Sequence, residues 1–228
     1  IALLRQTYLD ADWYAKTNGE KEYNVSLQAW DDNQTLPQIF EAEGRLSILR
    51  ADKIGDEFGI QYIIKGNGDE YQRLDAIKAT GATLIIPINF PDAYDVADPF
   101  DARNTSLHQM KHWELAPTNP SVLAGAGIRF ALTPSGLKDK KSFHKNLQKA
   151  VEHGLSKQAA LKALTTVPAK MLGLESKVGT LEKGKLANFI ITSGELFESG
   201  TEIYENWVTG TQYVIKDFTQ PDIRGDYK

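Results

Sequence analysis

His108 and His112, in the run HQMKH, sit at i and i+4 and are the first residues of this 228-residue chain whose types and spacing could do chemistry. On a helix those positions share a face, so the two imidazoles could clip a divalent metal. Gln109 follows His108 where the zinc-protease pattern HExxH needs glutamate. Without a third ligand the plainer reading is a solvated or partner-facing helix surface. Ser135 lies in TPSG rather than the GxSxG of a nucleophile elbow, and reads as a strand-end turn. Asp92, Asp95, Asp98 and Asp101 form an acidic loop that could hold calcium. Their spacing lacks the EF-hand glycine and closing glutamate, which favours an ordinary solvated loop. Gly66, Asn67 and Gly68, in KGNGDE, open a helix and could cradle a phosphate on backbone donors, although the context is not a Walker motif. His144 and His153 flank a helix without acidic pairing and read as surface. Cysteine is absent, which removes disulfides, thiol catalysis and Cys-type zinc sites.

At 228 residues the chain is one large domain or two small ones, long enough to bury a core. Hydrophobic content of 41% with 25% charged residues is ordinary for a soluble globular protein. A net charge of -4 argues against nucleic acid or an anionic membrane as partner, since both reward a basic face. No apolar run approaches the ~20 residues that span a bilayer, and no secretory signal opens the chain. A soluble protein of open compartment is the expectation.

The elements that must position these residues follow from periodicity. The chain starts with Ile1, already inside an amphipathic helix marked by Leu4, Tyr8, Ala11 and Ala15, which leads us to expect a fragment. A polar loop over 16–24 precedes a short helix over 26–32, capped by Asn24 or Ser26. Residues 36–42 read as a strand, and 46–58 as a helix with Leu46, Leu49, Ile54 and Phe58 on one stripe. Strands at 60–65 and 82–88 flank a helix over 69–80, and continuously apolar strands alternating with helices imply a parallel sheet covered on its faces. An irregular passage over 89–106 follows, then helices over 107–115 and from Pro120, behind an Asn119 cap, to Gly125. A strand at 127–132 and a helix at 142–153 come next. Ser156 caps a helix reaching Thr165 with Ala160, Leu161 and Leu164 on one face, Pro168 suits the first turn of a second, and Gly173 ends it. Beyond, 187–192 and 204–215 are β-rich, and the tail over 217–228 is polar and loose.

The stretch from Gly154 to Asn188 resembles the C-terminal signature of the metal-dependent amidohydrolases, most closely those like imidazolonepropionase. The family's last helix pair reads GL(S/T)xxxALxAxTxxPAxxLGL. Gly154, Leu155, Ser156, Ala160, Leu161, Ala163, Thr165, Pro168, Ala169, Leu172, Gly173 and Leu174 meet it. The exit pattern GxLxxGxxAD is met by Gly179, Leu181, Gly184 and Ala187, with Asn188 in place of the aspartate. The resemblance implies an α/β fold: strands five to eight of a (β/α)8 TIM-type barrel over 1–176, with a small β-subdomain and tail over 177–228. It covers essentially all of this chain and about the second half of a family member, so the family's HxH after strand one is not in this sequence.

The family's reaction is metal-dependent hydrolysis of non-peptide C–N bonds in amides or cyclic amides. A divalent metal acidifies a bound water, and a carboxylate takes its proton. The resemblance implies a metal-ligating histidine ending strand five, another ending strand six, and an aspartate ending strand eight as ligand and base. Carried over position by position, these fall on Glu41, Gly66 and Ser135. Gly66 offers no ligand, and a serine hydroxyl is no base near neutral pH. Loss of a general base alone commonly removes ~10² to 10⁴ of rate. The expectation is a degenerate copy with no cofactor, acting as a structural or interaction module. Its partner would be the missing N-terminal half of the barrel, a second amidohydrolase module, or further copies of the chain. One alternative is an active hydrolase holding zinc or another divalent metal through an N-terminal HxH, with Glu41, His108 and His112 as metal candidates here and Lys65 or Asp92 lining the site. Another is a non-catalytic small-ligand binding module lined by Glu41, Lys65 and Ser135.

Overall fold

A computed structural model describes residues 1–17 and 22–217. The sequence expectations for residues 18–21 of the early loop and 218–228 of the tail lie outside the described residues. Two helices lead in, α1 (Ala2–Lys16) and α2 (Val25–Asp32). Asn24 caps α2, its side chain accepting from the backbone N–H groups of Ser26 and Leu27. Strands and helices then alternate: β1 (Ile39–Glu41), α3 (Arg45–Phe58), β2 (Ile63–Lys65), a 3-10 turn (Glu70–Arg73) running into α4 (Leu74–Ala79), and β3 (Thr83–Pro87). After β3 come α5 (Pro99–Asn104), α6 (Leu107–Leu115), a second 3-10 turn (Ala116–Thr118), α7 (Asn119–Gly125) and β4 (Phe130–Thr133). They are followed by α8 (Ser142–Glu152), α9 (Lys157–Leu164), α10 (Thr166–Met171), β5 (Phe189–Thr192), β6 (Ile203–Val208) and β7 (Thr211–Val214).

Strands β1 to β4 form one parallel sheet in chain order. Phe40, Ile64, Leu84 and Phe130 stand in register across it. That row faces the helices: Ile64 and Leu84 are fully buried with Ile48, Ile77, Leu123 and Leu147. Side chains alternate along a strand, so the next row, Glu41, Lys65, Ile85 and Ala131, points to the opposite face. That face is more open, and Ile39 on it is 54% exposed. Because the strands are parallel, Glu41, Lys65, Pro87 and Thr133 all end at one edge of the sheet, where the loops that follow them gather.

Strands β5, β6 and β7 form a separate antiparallel sheet. Thr209 and Gly210, both at positive φ, make the two-residue turn between β6 and β7 that the twist of a hairpin favours. Polar contacts tie the segment after β5 to the helices. Lys157 bridges Glu195 and Glu198, His144 Nε2 meets the Leu196 carbonyl at 2.6 Å, and Gln148 donates to the Glu198 carbonyl at 2.6 Å. His144 is thus half-buried rather than a plain surface residue, while His153 is exposed as expected.

Several sequence expectations are corrected. All four parallel strands are shorter than their apolar runs, and α5 interrupts the passage expected to be irregular. In α1, Tyr14 is buried and Ala15 exposed; in α3 the buried face is Ile48, Ala51, Ile54 and Gly55, leaving Leu46 50% exposed. In α9 the small Ala160 and Ala163 make the close approach to the parallel sheet at β4, and Leu161 stays 49% exposed. Asn119 is not a cap: Thr118 takes that place, and Asn119 is buried with its side chain engaged elsewhere.

Candidate functional site

The parallel strands end around an open cavity of about 500 Å³, into which Glu41, Lys65, Gly66, Asn67, Asn89 and Ser135 contribute. Glu41 and Lys65 are register partners at the ends of β1 and β2, and their side chains form an ion pair. Lys65 is the more covered of the two, at 23% side-chain exposure against 71% for Glu41. Ser135 follows β4, where its backbone N–H donates to Thr133 Oγ1 at 3.3 Å. Gly136 beside it adopts a φ of 81°, and the Asn89 carboxamide lies against its α-carbon where a side chain would stand. Asn146 Nδ2 donates to the Ile88 carbonyl at 2.7 Å and so steadies the loop that carries Asn89.

Glu70 lies under the loop after β2, on the first residue of the 3-10 turn, and is fully buried. Its Oε1 accepts from the backbone N–H groups of Asn67 at 3.0 Å and Gly68 at 3.1 Å, and its Oε2 accepts from Asn119 Nδ2 at 2.6 Å. Asn119 Oδ1 in turn accepts from the Tyr71 N–H at 2.8 Å. Burial pushes the Glu70 carboxyl above its ordinary range, while the backbone donors and Asn119 pull it back down. The backbone cradle read in the sequence as a phosphate site therefore holds a carboxyl group of the chain's own. The sequence had offered no role for Glu70 and only that of a helix cap for Asn119; the available signal for Glu70 was an acid placed two residues after a Gly-x-Gly turn.

Of the residues the sequence offered as candidates, Glu41, Lys65, Gly66 and Ser135 lie together along this cavity, whereas Asp92, His108 and His112 lie outside its lining. Asp92 does not line the cavity; it is solvent-exposed, 3.7 Å from Lys138. Asp95 and Asp98 are used by the backbone: Asp95 Oδ1 accepts from the Ala97 N–H, and Asp98 caps α5 through the Phe100 N–H. His108 and His112 lie on α6, outside the cavity lining. His112 stacks on Tyr71 with 6° between ring planes, its Nδ1 3.1 Å from the Tyr71 hydroxyl, and burial pushes its imidazole below the ordinary histidine range. Among the described residues, no group of three or more His, Asp or Glu side chains is placed to hold a metal ion.

The sequence profile of the Amidohydrolase family matches residues 122–220, a segment that includes β4, Ser135, the helix pair α9–α10 and the small sheet. Over that segment, somewhat under half of its length, the chain is similar to the amidohydrolases. An amidohydrolase from Thermotoga maritima MSB8 superposes on 92% of this chain and 54% of its own, with a TM-score of 0.73 at 20% identity. A Xaa-Pro dipeptidase with methionine bound in its active site covers 87% of this chain and 51% of its own, with a TM-score of 0.55 at 19% identity. Ochratoxinase from A. niger covers 82% and 44%, with a TM-score of 0.51 at 17% identity. At these identities the likeness is one of fold, of TIM-barrel type, and this chain spans about half the length of the solved structures it matches. A search of the curated proteins finds no match. In a barrel of this type active sites lie at the C-terminal ends of the strands, and the cavity of this chain lies at that end of its parallel sheet.

Proposed function

We propose that this chain is a non-catalytic amidohydrolase unit, strands five to eight of the barrel with its small sheet, acting as a structural or interaction module. One observation carries the reading: at the end of β2, Gly66 has no room for a ligand, because an added Cβ would fall on the Glu70 carboxylate. Glu41 is committed to Lys65, and Ser135 stands at the position of the expected aspartate. A divalent metal needs three or more donors held in common, and the attacking water needs a base. The residues present at the mouth do not fit such a group. An active hydrolase would have to draw both metal ligands and base from outside these residues, and Asp92, the loop carboxylate considered for that role, is turned away to Lys138.

The test is metal content and turnover. The protein in its natural full length, exposed to zinc and manganese and then dialysed, is expected to hold far less than one equivalent of metal by mass spectrometry. It is also expected to leave amides and cyclic amides intact. Near-stoichiometric metal that is lost in Glu41→Ala, accompanied by hydrolysis, would overturn the reading.

Surface chemistry supports the interaction role. Strands β1 and β4 are the outer strands of their sheet, each with one edge unpaired among the described residues. On the small sheet, Tyr213 and Val214 of β7 and the adjoining Ile215 are more than half exposed. Unpaired edges and apolar surface of this kind recruit a complementary β/α unit or a second copy. Sedimentation velocity of the purified chain at micromolar concentration is expected to show species heavier than the monomer, and a single stable monomer would count against association.

A further inference from the structure

The end of β2 is closed by the chain itself. Gly66 is not among the glycines at positive φ, so its own backbone would accept alanine. What bars a side chain there is Glu70: an added Cβ would collide with Oε1 and lie 2.9 Å from Cδ. The carboxylate has little freedom to withdraw. It is fully buried, two backbone N–H groups hold one oxygen, and Asn119 holds the other. Asn119 is itself buried and anchored through the Tyr71 N–H.

We propose that Glu70 is a positioning residue that serves as the built-in carboxyl group of the 66–68 backbone cradle and fills the volume of the side chain missing at position 66. In this arrangement the strand end is shut to a ligating side chain and to an external anion alike. The inference deepens the non-catalytic reading above and rests on it. The chemical class that belongs in the cradle is a small carboxylate, supplied here from within. Three neutral donors converge on it, enough to satisfy one compact carboxyl group out of water.

The test is a set of unfolding transitions in urea. Gly66→Ala is expected to lower the midpoint steeply in the otherwise native chain, and equally in a Glu70→Gln background, where the amide keeps the volume. In a Glu70→Ala background the same change is expected to have little further effect, because the obstacle is gone. Glu70→Ala alone is expected to be less stable than the native chain. Its midpoint should recover in formate but not in chloride at equal concentration, with the native chain in formate as control. If Glu70→Ala loses its cooperative transition in chloride, its return in formate is the expected result. Equal losses from Gly66→Ala in all three backgrounds, or a formate response no larger than that of chloride, would overturn the assignment. Metal binding plays no part in these readings, so an additive set would sink the role of Glu70 while leaving the metal test standing. Stoichiometric metal would sink the non-catalytic reading while leaving the Glu70 result intact.

Discussion

Replacing Asn119 with alanine is expected to destabilise the chain by about 3 kcal/mol, measured as the change in unfolding free energy from urea titration. The change strands two buried groups at once. Glu70 Oε2 loses its donor at 2.6 Å, and the Tyr71 N–H loses its acceptor at 2.8 Å. Each buried group left unpaired costs roughly 1–3 kcal/mol, and more when it carries charge. Asn119→Asp is expected to be worse near neutral pH, since it sets a second carboxylate against Glu70. Acid should partly relieve it, because one proton shared between the two removes the repulsion. A loss under about 0.5 kcal/mol for Asn119→Ala, the range of ordinary surface changes, would mean that water reaches the Glu70 carboxylate.

Leu84→Ala is expected to cost about 3–4 kcal/mol, within the usual range for a fully buried leucine. Leu84 is central in the four-stranded sheet, in register with Ile64 on one side and Phe130 on the other, and is fully covered by the helices. A neighbouring strand holds each flank, so the surroundings cannot close over the void. Leu161→Ala is the matched control. With Leu161 half exposed on α9, it is expected to cost less than about 1 kcal/mol by the same measurement. Equal losses at the two positions would contradict the packing described for α9.

The contrast between these leucines marks where the sequence was informative. Strand and helix alternation was legible because the helix-facing rows are continuously apolar, and the mouth residues followed from the strand ends and the family resemblance. Which stripe of a helix is buried was less legible. Leu161 and Leu46 outrank Ala163 and Ala51 in hydrophobicity, yet small side chains win where a helix must lie close to its neighbour. Pairings between distant residues left the faintest trace. Glu70 and Asn119 are 49 positions apart, and each is an ordinary polar residue beside a turn or a proline. Local reasoning makes Asn119 a cap. Only the packing of α7 against the first 3-10 turn turns it into the partner of a buried carboxylate. Gly66 reads as an empty position in the sequence, and it is full in three dimensions.

That fullness bears on how the chain could change over generations. A side chain introduced at position 66 while Glu70 remains meets a carboxylate it cannot displace without breaking three hydrogen bonds. Removing Glu70 first leaves the donors of Asn67, Gly68 and Asn119 facing a void. Either order is expected to pass through an impaired intermediate, so the pair acts as a ratchet: a larger side chain could be installed at this strand end only through two coordinated changes.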